Sequence, residues 1–236
     1  MKQPVFSGVC TALVTPFLNN QIHYPLLEKL LQFQIESGID AVVLSGTTGE
    51  SPTLSDEEKI SIFRRAKSFI GDRIPVIAGT GTNSTEHAIY LSQAAQDADV
   101  DALLIVSPYY NKGNPDGLYR HFRAIAESVH LPIILYNVPS RTGVDVPISV
   151  YKKLSKIPNI IGVKEASSDI TKITKIRASC GEDLHIWTGN DDQIVPAISL
   201  GAKGVISVVS NLLPAETSKM AKAALVGDYV TASNLQ

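Results

Sequence analysis

The sequence predicts an α/β fold, a single (β/α)8 barrel, on three observations. Short apolar, β-branched runs alternate with longer amphipathic segments eight times. The connections are short, and no low-complexity linker or charge block divides the chain. At 236 residues with 44% hydrophobic content, the chain is long enough for one large core, so residues 1–236 read as one domain. The stretch the rest serves is Ile160-Ile161-Gly162-Val163-Lys164-Glu165-Ala166-Ser167, strand-like but with a lysine where a buried strand would carry valine.

In chain order, a first strand covers 8–15. Leu26, Leu27, Leu30, Leu31 and Ile35 then recur at helical spacing and stop at Gly38, a C-cap residue. A second strand covers 40–45. Ser55 followed by Asp56, Glu57 and Glu58 reads as the N-cap and acidic first turn of a helix running through Phe69. Further strand–helix pairs fall at 74–78 with 84–97, 101–106 with 116–129, and 132–136 with 149–156. The lysine-bearing strand precedes a helix over 169–180, and the last pairs are 184–188 with 191–200 and 204–209 with 214–225. The alternative is a doubly wound open sheet, which has fewer strands and a Gly-rich nucleotide turn. Gly79-Thr80-Gly81-Thr82-Asn83-Ser84 lacks the third glycine and reads as an ordinary strand-to-helix turn.

A net charge of −2 and a pI near 6.2 leave no electrostatic footprint for nucleic acid. The N-terminus, interrupted by Pro4 and Pro16, lacks the order of a signal peptide, and no apolar run reaches the ~18 residues of a membrane span. These features predict a soluble, cytoplasmic protein with no nucleic-acid or membrane partner. Cys10 and Cys180 are far apart and without CxxC spacing, and the five histidines show no ligand spacing. Neither disulfide, metal nor cofactor is expected.

Alternation along a strand puts Ile160, Gly162, Lys164 and Ala166 on one face. If that face looks into the barrel, burial lowers the lysine pKa and leaves an amine able to form a Schiff base. At a strand end, the same lysine would snorkel to the surface. Barrel sites collect at the C-terminal ends of the strands. Gly46-Thr47-Thr48-Gly49-Glu50-Ser51 suits a carboxylate or phosphate as readily as it makes a tight turn. Tyr109 and Tyr110, and Tyr136 ahead of Asn137-Val138-Pro139-Ser140-Arg141-Thr142-Gly143, fit proton relay or packing, and Arg141 fits carboxylate recognition or a solvated loop. Asp191, after strand seven, reads as a helix cap.

Gly46-Thr47-Thr48-Gly49-Glu50, Tyr136 to Gly143 and Gly162-Val163-Lys164-Glu165-Ala166 together resemble the dihydrodipicolinate synthase family of pyruvate-dependent class I aldolases. The resemblance runs from about Gly8 to the last residue, and the arginine-bearing motif is its most specific part. It implies that Lys164 forms an imine with pyruvate and that Tyr136 donates and accepts protons beside it. Thr47 and Tyr110 complete the relay, Tyr110 reaching into a neighbouring subunit, so a homo-oligomer, dimer or tetramer, is expected. Thr48, Ile206 and Gly189 are implied at the pyruvate site, and Arg141 at the carboxylate of aspartate semialdehyde. The product would be 4-hydroxy-tetrahydrodipicolinate, which feeds diaminopimelate and lysine synthesis.

The chain departs from the family at Gly113-Asn114, where a proline is usual after Lys112, and the barrel is expected to stand without the family's C-terminal helical extension. The resemblance also implies weak or no inhibition by lysine. Asn83 and Tyr109 match the effector positions, but Asp56 and Lys59 replace two histidines and His87 replaces a glutamate. Competing readings are a related aldolase, of the N-acetylneuraminate lyase or keto-deoxy-gluconate type, and a non-catalytic barrel.

Overall fold

A computed structural model describes residues 2–236. Eight parallel strands close into a barrel, each paired to its neighbours in chain order. They are β1 Gly8–Ala12, β2 Ala41–Leu44, β3 Val76–Gly79, β4 Ala102–Val106, β5 Ile133–Asn137, β6 Ile160–Glu165, β7 His185–Thr188 and β8 Gly204–Ser207. The ring closes through Gly8↔Gly204 to Thr11↔Ser207. Parallel neighbours need crossovers, and the amphipathic segments supply them as helices. These are α1 Tyr24–Glu36, α2 Asp56–Ile70, α3 Thr85–Asp97, α4 Pro115–Glu127, α5 Ile148–Leu154, α6 Ile170–Cys180, α7 Ile194–Ser199, α8 Pro214–Leu225 and α9 Tyr229–Leu235. The expected TIM barrel is the fold. Among the described residues, no helix is long and apolar enough to cross a membrane.

Burial on both faces explains why the strands read as continuous apolar runs. Their outward side chains, such as Val42, Ile105, Leu135 and Val163, pack under the helices against Leu31, Phe63, Phe122 and Ile176. Their inward side chains, including Cys10, Val43, Ile77, Leu104, Trp187 and Ile206, fill the lumen. Phe6 stacks on Trp187 at 5.0 Å and closes the N-terminal end. There Lys2 Nζ donates to the carbonyls of Ser155, Ile157 and Ile160 at 2.6–2.7 Å.

Local signals in the sequence act as read. Ser55 Oγ accepts the Glu58 N–H and Glu58 Oε2 accepts the Ser55 N–H, a capping box that starts α2. Gly38, at φ +77°, ends α1. A Cβ on Gly79 would stand 2.5 Å from the Ser45 carbonyl oxygen. That glycine serves close packing of neighbouring strand ends, not a nucleotide.

Four details differ from the sequence reading. The first strand stops at Ala12, and an antiparallel hairpin of Phe17–Leu18 with Gln21–Ile22 follows. The pairing of β5 with β6 shifts register between Ile133 and Ile134, so Ile160 belongs to the outer layer and Ile161 to the lumen. The single face expected for Ile160, Gly162, Lys164 and Ala166 therefore starts only after the shift. The helix expected over 191–200 is a 3-10 turn, Asp191–Gln193, followed by α7. Asp191 caps no helix; its Oδ2 accepts the N–H groups of Val208 and Val209, each at 3.0 Å. A one-turn helix, Pro139–Thr142, and α9 were not visible in the sequence pattern.

Candidate active site

Lys164 lies on the inner face of β6, 5% exposed, its Cα in register with Tyr136 on one side and Trp187 on the other. Space for its stem depends on Gly189, where a Cβ would come within 2.8 Å of Lys164 Cε. Burial draws the Lys164 pKa down to about 8, with Cys10 and Asp191 opposing and Arg141 reinforcing the shift. Burial also pushes the Cys10 thiol well above its ordinary value, so that group is neutral at pH 8. Asp191 is then the negative charge that steadies the ammonium. About a tenth to a half of such a lysine is the free amine between pH 7 and 8, which is the state a carbonyl needs.

The Lys164 ammonium stands 4.4 Å from the centroid of the Tyr136 ring. Tyr136 is buried, which raises its pKa, while the Thr47 hydroxyl and the Arg141 charge favour its ionised form. A neutral phenol held between a hydroxyl and an amine can pass protons both ways. Tyr136 borders a cavity of about 510 Å3 together with Thr47, Tyr109 and Arg141. Arg141 sits exposed on the one-turn helix after β5. Thr142 Oγ1 staples that segment by donating to the carbonyls of Val138 and Val144 and accepting the Val144 N–H.

The structure thus brings Lys164, Tyr136, Thr47, Arg141 and Gly189 to one end of the barrel. Ile206 is fully buried in the lumen beside Cys10. Thr48 is half-buried in the turn after β2 and makes no side-chain hydrogen bond among the described residues. Tyr110 does not join the cluster within this chain. It is 86% exposed and held at φ +78°, its N–H on the Thr142 carbonyl. The same cavity reaches Asn83, Lys59, Asp56 and His87. Asp56 is engaged there, with His87 Nε2 at 3.0 and 2.9 Å from its two oxygens and Lys59 Nζ at 3.7 Å.

Sequence reasoning missed the electrostatic part of Asp191, because an acid at the head of a helical segment has a ready capping explanation. It also missed Cys10, whose inward position follows only once the strand's face is known.

A closed barrel with a buried lysine at the catalytic end, a tyrosine over it and an arginine across the cavity defines a lyase of the class I aldolase type. Comparison with known proteins makes this specific: residues 5–236 match the Dihydrodipicolinate synthetase family, and the chain belongs to that family. It is 44% identical over 232 residues to the 4-hydroxy-tetrahydrodipicolinate synthase of Clostridium perfringens, covering 98% of this chain and 80% of the relative. The synthase of Lachnoclostridium phytofermentans is 47% identical with the same coverage. The crystal structure of dihydrodipicolinate synthase from Aquifex aeolicus superposes with a TM-score of 0.96 at 42% identity, covering 98% of this chain and 79% of that one.

Proposed function

We propose that this chain condenses pyruvate with L-aspartate 4-semialdehyde to 4-hydroxy-tetrahydrodipicolinate, the entry to diaminopimelate and lysine synthesis in the cytoplasm. The observation that carries the reading is a buried lysine of pKa about 8 set 4.4 Å from a tyrosine ring. The neutral Lys164 amine attacks the ketone carbon of pyruvate, and the carbinolamine loses water to give the imine. Tyr136 supplies the proton that leaves with the hydroxide and later takes one back, with Thr47 as its relay partner. Loss of a methyl proton gives the enamine, which bonds to the aldehyde carbon of the second substrate. Arg141 holds that substrate's carboxylate by charge-assisted hydrogen bonds. Its amine then adds to the imine carbon, closes the ring and releases Lys164.

Tyr110 supports a shared site. A large aromatic side chain exposed on a strained backbone, next in the chain to the cavity-lining Tyr109, fits a contact with a second copy, whose relay it would complete. The working unit in this reading is a homo-oligomer, at least a dimer. Thr48, Gly189 and Ile206 line the pyruvate side. Lysine inhibits weakly or not at all, since Asp56 is occupied by His87 and Lys59 and offers no free carboxylate to an effector ammonium. Among known structures, the enzyme of Cyanidioschyzon merolae, at 38% identity, was solved with lysine bound.

The test is turnover of pyruvate with a panel of aldehydes. Aspartate semialdehyde should be consumed with a kcat/KM at least about a hundredfold above that for N-acetylmannosamine or glyceraldehyde, since a site built around a charged contact strongly rejects analogues that lack its partner. Equal or reversed preference would assign the chain to another aldolase, and no turnover with any aldehyde would make it a non-catalytic barrel.

A further inference from the structure

Directly behind the reacting pair lies a second polar cluster that the chemistry above does not use. Asn137 follows Tyr136, and Glu165 follows Lys164. Strand alternation turns both away from the lumen into the layer beneath the helices, where Asn137 is 0% and Glu165 3% exposed. Asn137 Nδ2 donates to Glu165 Oε1 and Oε2 at 3.0 and 3.1 Å and to Asp145 Oδ1 at 2.9 Å. Its Oδ1 accepts the Val146 N–H at 3.0 Å. Glu165 Oε1 also accepts the Ser167 N–H at 2.8 Å. Lys172 of α6 pairs with Asp145, and its ammonium stands 5.9 Å from the centroid of the Tyr151 ring. Burial raises the Glu165 pKa, and Ser167, Lys172 and Asn137 oppose that shift.

One amide thus ties three pieces together: β5, which carries Tyr136; β6, which carries Lys164; and the segment returning from Arg141. That segment is stiff, because Thr142 Oγ1 and the Gly143 N–H to Pro139 carbonyl bond close it on itself. Where Asn137 holds Val146 and Asp145 therefore sets where Arg141 stands. Well-packed apolar residues would fill this layer without the desolvation of a buried carboxylate, so its retention calls for a directional role.

We propose that Asn137 and Glu165 form a positioning unit that fixes Arg141 relative to the imine-forming lysine, and so governs capture of the second substrate. The proposal rests on the reading that Arg141 holds that substrate's carboxylate. Misplacement by about 1 Å far from the reacting atoms is enough to cost up to about a hundredfold.

The test is a double-mutant cycle read on both substrates. Asn137→Ala should raise the KM of the aldehyde about tenfold or more, while the pyruvate KM and the rate of borohydride trapping change by less than about threefold. In an Arg141→Ala background, the same substitution should add less than about twofold to the aldehyde KM, because the group it positions is gone. Glu165→Gln keeps the oxygen shared by Asn137 and Ser167 but sets an amide NH2 against the Asn137 NH2, and should give a weaker form of the same split. If Asn137→Ala does not fold, Asp145→Asn keeps an oxygen for Lys172 while weakening the acceptor of Asn137, and should give the same split more weakly. Equal losses on both substrates, or full additivity with Arg141→Ala, would overturn the proposal. If Arg141→Ala alone leaves the aldehyde KM unchanged, the reading of Arg141 falls and the proposal with it. If Arg141→Ala raises it and the cycle is additive, only the positioning unit falls.

Discussion

At the N-terminal end of the barrel, where helices turn back into strands, left-handed backbone is taken by glycines: Gly38, Gly71, Gly181 and Gly201 all have positive φ. At the opposite end, where strands feed helices, Ser45, Glu50, Tyr110, Lys112 and Ser168 take it instead. Asp99 and Gly143 are the exceptions in each direction. The lumen shows the same contrast. Phe6 stacked on Trp187 closes one end, and the Lys2 ammonium there has three carbonyl partners. At the other end Lys164 is held far below its ordinary pKa, whereas buried polar atoms without a partner occur at both ends: the Ser45 and Ser107 hydroxyls here, Trp187 Nε1 and His185 Nδ1 at the closed end. One end of the molecule is closed by packing, while the other keeps strained backbone and a buried amine that chemistry can use.

Stability measurements on each end can break this contrast. The largest effect belongs to the closed end. Phe6→Ala should lower stability by about 3–5 kcal/mol, the range for truncating a buried phenylalanine, while activity per folded molecule stays near the parent. A loss of specific activity matching the loss of stability would mean that the two ends are coupled. The opposite sign is expected at Lys164. Its pKa is about 8 in the folded chain against a reference of 10.5. Between those values the unfolded chain binds a proton that the folded chain does not, so stability rises with pH across that window and the penalty is complete below pH 8. Lys164→Met should abolish turnover and yet stabilise the protein at pH 7 by about 3 kcal/mol, an order-of-magnitude figure from the size of the shift. Denaturant titrations at pH 7 and 10 would check both the gain and the loss of its pH dependence. The smallest effect is at Tyr110. Tyr110→Gly should add about 1 kcal/mol by relieving a left-handed backbone, while activity falls. A destabilised Tyr110→Gly would show that the exposed ring does structural work within its own chain.

The contrast also marks what could be read from the sequence. The closed layers were legible because each strand is a continuous apolar run and each helix shows its stripe, so eight units could be counted and Ser55 and Gly38 assigned to caps. The lysine was legible because a charge in such a run is conspicuous. The register shift beside it was not, since Ile160 and Ile161 are interchangeable to any pattern. Nor was the role of Asp191, whose contacts are to Val208 and Val209, separated from it by a whole helix and strand. Asn137 and Glu165 escaped for a related reason: they stand beside motif residues but act on the outer face, in a network that continues through Asp145, between β5 and α5, to Lys172 of α6. Tyr110 was flagged as a tyrosine in a pair, but its positive φ, the feature that separates it from Tyr109, belongs to the folded loop.

Burial at the catalytic end lowers the Lys164 pKa to about 8 and so leaves enough free amine near neutral pH to form the imine. Borohydride trapping of pyruvate, followed over pH and mapped by mass spectrometry, tests it most directly. One modified residue is expected, Lys164, with a trapping rate that rises with pH to a midpoint near 8. An adduct on a different lysine, or a midpoint near the 10.5 of an ordinary lysine, would contradict it.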